Sequence, residues 1–247
     1  MTLPLIFCAV DTPDVDRALS LAAAMQRAGC GIKLGLEFFN AQGAEGVKEI
    51  RRSYPDIALF LDLKFHDIPN TVAGAVRAVC ALEPQFLNVH ASGGAAMMRA
   101  AREAVDKAAE NFGIIAPKLL GVTILTSIDE AALTEAGFQP GLEDRVVQLA
   151  RLTQDTGLDG IVCSGQEIEP VRRACGKDFS LMVPGIRPDK GTAQDQKRVM
   201  TPQQALQAGA NYLVIGRPIT EADRPAEAAM AILKTIETDS IETIRTV

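Results

Sequence analysis

Short apolar and β-branched runs recur along the chain at 5–10, 31–36, 57–63, 86–89, 119–125, 160–163, 181–183 and 212–215. Each has the length of a strand buried on both faces. Between them lie Ala-rich stretches at 14–28, 71–81, 95–109, 142–156 and 202–208, in which apolar residues return at helical spacing. Strands alternating with helices across short polar connections predict a parallel sheet with helical crossovers. Eight repeats predict closure, giving an α/β fold of the single (β/α)8 type, the TIM barrel, with 1–247 as one domain. The alternative is an open, doubly wound sheet. Its glycine fingerprint after the first strand is replaced here by Asp11-Thr12-Pro13. No linker or low-complexity tract marks a domain boundary, and 247 residues match the ~250 typical of a barrel.

Such a barrel carries its chemistry where strands end, at the C-terminal rim, and polar residues fall at those places. Asp11 ends the first run, Lys33 lies in the second, Asp62 and Lys64 end the third, Asn88 and His90 the fourth, and Thr126 and Ser127 the fifth. The third is the most informative. In Asp62-Leu63-Lys64-Phe65-His66-Asp67-Ile68-Pro69-Asn70-Thr71, alternation along a strand puts Asp62 and Lys64 on one face, and a loop could fold Asp67 back towards them. An isolated D-x-K reads more plainly as a structural ion pair. Three ionisable groups gathered at the rim of a buried strand lose hydration, which is tolerated mainly where charge performs chemistry. The seventh run leads into Pro184-Gly185-Ile186-Arg187-Pro188 and the eighth into Gly216-Arg217-Pro218. Glycine lets backbone N–H groups approach an anion and arginine grips phosphate bidentately, so the two loops together favour a phosphorylated ligand.

Charge narrows the partners. With 25 Lys+Arg against 31 Asp+Glu, a net charge of -6 and no long basic run, nucleic acid and anionic membrane are not expected ligands. Five scattered cysteines without a C-x-x-C pair read as reduced, mostly buried thiols of a cytoplasmic protein. The opening 1–10 is apolar but lacks a basic flank and is too short to span a bilayer, so neither signal peptide nor anchor is expected.

The run from Asp62 to Thr71, D-x-K-x-x-D-I-P-x-T, closely resembles the signature of the orotidine 5′-phosphate decarboxylase family. Matching elements extend over nearly the whole chain: Asp11, Lys33 in Lys-Leu-Gly, Asn-Val-His-Ala-Ser-Gly-Gly at 88–94, Val-Thr-Ile-Leu-Thr-Ser at 122–127, Pro-Gly-Ile-Arg at 184–187, Gln196 and Ile-Gly-Arg-Pro at 215–218. The resemblance implies a cofactor-free, metal-free enzyme that removes CO2 from orotidine 5′-phosphate to give UMP, the last step of pyrimidine nucleotide synthesis. It also implies an alternating Lys33-Asp62-Lys64-Asp67 array, in which Lys64 stabilises the developing C6 carbanion and then protonates it. Asp11, Lys33 and Thr71 are implied ribose ligands, Thr126 and Ser127 base contacts, and Gly216 and Arg217 the phosphate grip, with Arg187 and Gln196 assisting from a lid. Asp67 and Thr71 are implied to reach the site of a partner subunit in a homodimer.

Other readings remain. A metal-dependent sugar-phosphate decarboxylase or aldolase of the same superfamily resembles this chain in its D-x-K-x-x-D, but places an acidic metal ligand on strand two where Lys33 stands. A Schiff-base aldolase on Lys64 needs a neutral amine, which two adjacent carboxylates oppose. A nucleotide-binding sensor needs the phosphate grip but not the charge array. Only two histidines occur, without metal-ligand spacing, so His90 and His66 read as packing or hydrogen-bonding residues, Glu37 as structural and Cys163 as core.

Overall fold

The computed structural model describes residues 3–188 and 200–245, and side chains as far as 236. Eight strands, β1 (Ile6–Val10), β2 (Gly31–Leu34), β3 (Leu59–Phe65), β4 (Phe86–His90), β5 (Lys118–Val122), β6 (Gly160–Val162), β7 (Ser180–Pro184) and β8 (Tyr212–Ile215), pair in parallel in chain order. β8 closes on β1 through Ile6 opposite Leu213 and Phe7 opposite Val214. The helices are α1 (Val15–Ala28), α2 (Leu36–Ser53), α3 (Pro69–Cys80), α4 (Gly94–Phe112), α5 (Glu130–Glu135), α6 (Leu142–Asp155), α7 (Ile168–Cys175), α8 (Pro202–Ala208), α9 (Arg217–Thr220) and α10 (Pro225–Arg245). This is the closed (β/α)8 barrel that the periodicity predicts. Among the described residues no helix is long and apolar enough to cross a membrane.

Strand alternation divides the core in two and prepares the site. Along β1, Ile6, Cys8 and Val10 face the helices and belong to the large outer core, while Phe7 and Ala9 point inward. Inside, Phe7, Phe60, Phe86, Leu120, Met182 and Val214 fill the barrel. Phe86 lies edge-on to Phe7, Phe60 and Tyr212, with centroid separations of 5.3, 6.0 and 4.9 Å. Edge-to-face packing of this kind adds to the burial of the rings. Gly31 makes room for it, since a Cβ there would stand 2.6 Å from a Phe7 ring carbon. Two residues beyond Phe60 and Phe86 on the same inward face come Asp62 and Asn88, so the charged layer rests directly on an aromatic floor.

Several boundaries differ from the sequence pattern, each for a local reason. β2 stops at Leu34 because Gly35 caps α2, whose first residue is Leu36. β3 runs on to Phe65, which takes Asp62 and Lys64 into the strand. β5 ends at Val122, leaving Thr126 and Ser127 in the following loop. The periodicity misses α2 because Gly43, at φ 62° and ψ −158°, kinks it and breaks its apolar stripe into short pieces.

Candidate active site

The mouth of the barrel holds a row of alternating charges. Lys33 Nζ lies 3.0 Å from Asp11 Oδ1 and 3.4 Å from Asp62 Oδ2, and Lys64 Nζ lies 2.8 Å from Asp62 Oδ1. Asp11, Lys33, Asp62 and Lys64 thus stand in line across β1, β2 and β3, with Lys33 and Asp62 buried and Asp11 open to solvent. Burial alone would depress the Lys33 ammonium, but the Asp62 and Asp11 carboxylates outweigh it and hold its pKa above the usual lysine range. Burial would likewise raise the Asp62 carboxyl, whereas Lys33 and Lys64 pull it below the usual carboxylate range. Each charge is kept by its neighbour, so the row is electrostatically set before any ligand arrives.

Two further residues support this row. Asn88, fully buried on β4, donates from Nδ2 to Asp62 Oδ1 at 2.7 Å and accepts from the Lys64 backbone N–H at 2.7 Å. Gly35 leaves space for the outer pair: a Cβ there would stand 3.0 Å from Lys33 Nζ and 3.2 Å from Asp11 Oδ1. In the sequence Asn88 stands only at a strand end and Gly35 only within Lys-Leu-Gly, and neither position by itself implies a role. A neutral amide and a missing side chain carry no charge pattern to find them by.

Lys33, Asp62 and Lys64 line a pocket at the mouth, together with Phe60, Val122, Leu125, Thr126, Cys163 and Pro184. A mostly apolar wall around a few charges strengthens their field. Cys163 is buried core, as expected, and also part of this wall; burial raises its thiol pKa. Thr126 lies in the wall and Ser127 follows it, exposed, in the loop after β5. The Gly185 and Gly216 loops leave neighbouring strands, since Pro184 of β7 pairs with Val214 of β8. Gly185 adopts φ 80°, a left-handed conformation that glycine accepts freely. Arg187 N–H donates to Met200 O at 3.1 Å at the base of its loop, and Arg217 opens α9 on the exposed surface. Gln196 lies outside the described residues.

Asp67 does not fold back onto Lys64 of its own chain. Its Oδ1 instead accepts from the N–H of Ile68 at 2.6 Å, and Asp67, Ile68 and Thr71 are all exposed at the start of α3. Pro69 at the first helical position fixes that start. Within one chain the fourth member of the row is therefore Asp11, not Asp67. The His66 and His90 rings lie with centroids 5.3 Å apart, tilted by 37°, and His90 is half-buried with its pKa held below the usual value by burial, His66 and Lys64.

A closed parallel barrel with preset charges at its C-terminal mouth, beside two Gly–Arg loops, defines a (β/α)8 protein with a site for a small ligand. Residues 4–232 match the model of the orotidine 5′-phosphate decarboxylase / HUMPS family. The chain is 55% identical to an orotidine 5′-phosphate decarboxylase of Rhodospirillum rubrum over 232 residues, 94% of this chain and 94% of the relative. It is 50% identical to one of Nitrosococcus oceani, over 92% of this chain and 95% of the relative. Among solved structures, an orotidine 5′-phosphate decarboxylase from Lactobacillus acidophilus superposes with a TM-score of 0.83 at 33% identity, covering 95% of this chain and 99% of that one. The chain belongs to the orotidine 5′-phosphate decarboxylase / HUMPS family.

Proposed function

We propose that this protein decarboxylates orotidine 5′-phosphate to UMP and CO2, and that the Lys33-Asp62-Lys64 row performs the reaction. The observation that carries the reading is Lys64 Nζ, held 2.8 Å from Asp62 in the pocket at the barrel mouth. Cleavage of the bond between C6 and the carboxylate leaves an electron pair localised on C6, with no neighbouring carbonyl to spread it. A positioned ammonium stabilises that pair in the transition state more than it stabilises the substrate. Lys64 then transfers a proton to C6, giving UMP, and recovers a proton from water. The field of Lys33 and Asp62 costs no reorganisation during this step, because both are already paired.

The other roles are part of the same proposal. Asp11 and Lys33 bind the ribose hydroxyls at the rim, and Thr126 and Ser127 read the pyrimidine. Gly216 and Arg217 grip the phosphate, assisted by Arg187 and Gln196. Asp67 and Thr71 complete the site of a second copy in a homodimer. Two features support this last role: the Asp67 carboxylate is bonded to the Ile68 N–H and makes no ion pair with its own Lys64, and Ile68 beside it is a large apolar side chain 67% exposed. A metal-assisted sugar-phosphate reaction is disfavoured by charge, since the Lys33 ammonium fills the space between Asp11 and Asp62 where a divalent cation would need oxygen ligands.

The test is loss of pyrimidine absorbance when chelator-treated protein meets orotidine 5′-phosphate. Rapid loss with UMP as product, unchanged by EDTA, is expected. Inactivity on this substrate, or activity that returns only with added Mg2+, would overturn the reading.

A further inference from the structure

We propose that Asn88 is the positioning residue of the charged row, holding Lys64 in a left-handed backbone conformation and aiming the Asp62 carboxylate between the two lysines. β3 and β4 pair Leu61 with Leu87 and then, after a register shift, Phe65 with Val89. Three residues of β3, Asp62, Leu63 and Lys64, therefore face one residue of β4, and that residue is Asn88. A bulge of this kind leaves N–H groups of the longer strand without a ladder partner. The Asn88 side chain supplies what the β4 backbone does not, accepting from the Lys64 N–H at 2.7 Å.

The conformation it secures is unusual. Lys64 has φ 49°, one of two non-glycine residues with positive φ among those described. A side-chain-bearing residue stays there only when its surroundings fix it. In this conformation the Lys64 side chain turns back along the inward face and meets Asp62, so the backbone angle and the 2.8 Å contact are two ends of one arrangement. The other end of the Asn88 amide donates to Asp62 Oδ1, the same oxygen that meets Lys64 Nζ. This leaves Oδ2 towards Lys33. The planar amide, with one acceptor and one donor, satisfies both demands: a leucine meets neither, and an ionised carboxylate meets the first and repels Asp62. Asn88 is fully buried in the wall behind the row and is not among the residues lining the cavity, so it acts through Lys64 and Asp62, without touching substrate.

What the row is used for rests on the decarboxylase reading, but the geometry assigned to Asn88 does not, and the experiment separates the two. Asn88→Ala and Asn88→Asp are assayed for kcat and KM on orotidine 5′-phosphate, for UMP affinity and for thermal unfolding. Their ligand-free crystal structures are determined in parallel. With Asn88→Ala, kcat is expected to fall at least ~100-fold through misplacement of Lys64, while UMP affinity changes by no more than about threefold because phosphate and base contacts remain. With Asn88→Asp, kcat relative to wild type should be lowest at neutral pH and recover as pH falls, since protonation of the introduced carboxyl restores a donor to Asp62. This pH-dependent rescue is not expected of a residue that only fills space, and it decides the matter if the alanine variant fails to fold. A kcat near wild type, or equal losses in kcat and UMP affinity without pH rescue, overturns the proposal. If wild-type protein does not decarboxylate, the functional reading fails and the ligand-free structures judge Asn88. Movement of Lys64 out of positive φ with loss of its Asp62 contact supports the positioning role, and an unchanged Lys64 in both variants overturns it.

Discussion

Lys64 combines the two things the proposed reaction needs, a cation at the developing electron pair and a proton to deliver. Lys64→Ala should therefore lower turnover by at least about 10,000-fold while leaving circular dichroism and cooperative unfolding close to wild type, because the side chain is one-quarter exposed and belongs to no core cluster. Substantial turnover in a folded variant would remove Lys64 from its role. A second outcome concerns pH and stability. His90 is held below its usual value of 6.5 by burial, His66 and Lys64. The unfolded chain thus takes up this proton at a higher pH than the folded one, so stability is lost as pH falls through the region just below 6.5. Asp62, with its pKa lowered from 3.8, acts in the same sense further down: its contribution is present above 3.8 and lost as pH falls towards its folded value. Denaturant unfolding between about pH 5 and 7.5 should show a slope that His90→Asn flattens, by at most about 1.4 kcal/mol per pH unit for one proton. An unchanged slope would assign the dependence to other groups. Sequence revealed Lys33, Asp62 and Lys64 because a charge inside an apolar strand contradicts its surroundings and must be explained. The pairing of Asp11 with Lys33 was less legible, since it depends on β1 and β2 lying side by side with Ala9 opposite Lys33.

At the scale of elements, the opposite end of the barrel shows a device repeated three times. Gln85, Asp159 and Asn211 each stand just before a strand, and each accepts the N–H of the preceding strand: Leu59 at 2.6 Å, Leu119 at 2.7 Å and Leu181 at 2.8 Å. An arginine from the helix two strands back ties each one down, Arg51 of α2, Arg102 of α4 and Arg172 of α7. The repeat follows the two-strand period with which side chains fill such a barrel. Arg172 also donates to Gly209 O, Gly176 O and Phe179 O at 2.8, 2.8 and 2.5 Å. Arg172→Met should cost about 2 kcal/mol of stability, since it leaves partly buried acceptors unpaired, and should leave kcat unchanged because the site lies at the other rim. Urea titration measures the first and turnover the second; a loss of activity without a loss of stability would contradict this division of labour. None of these clamps is visible in the chain as a pattern, because their partners are separated by tens of residues and become neighbours only once the barrel closes. The strands were legible for the opposite reason, being local apolar runs, whereas α2 was hidden by its kink at Gly43.

At the scale of the whole molecule, the row has three charges packed against one another and a rim aspartate, while the acid of the signature, Asp67, faces outward with Ile68. Charge alternation beyond Lys64 would then be completed by a second copy, and this arrangement has a consequence that a self-contained site lacks. Lys64→Ala and Asp67→Asn chains should each be inactive as homodimers. When they are dissociated, mixed and reassembled, a two-fold symmetric heterodimer places both lesions in one site and neither in the other. Random exchange makes about half of the dimers mixed, each with one intact site of two, so roughly a quarter of wild-type activity should return. Native mass spectrometry establishes that exchange took place, and the absorbance assay reads the activity. Mixed dimers without recovered turnover would mean that Asp67 serves its own chain after a movement of the 66–70 loop. A wild-type protein that stays monomeric at assay concentration while remaining active would remove the shared site altogether.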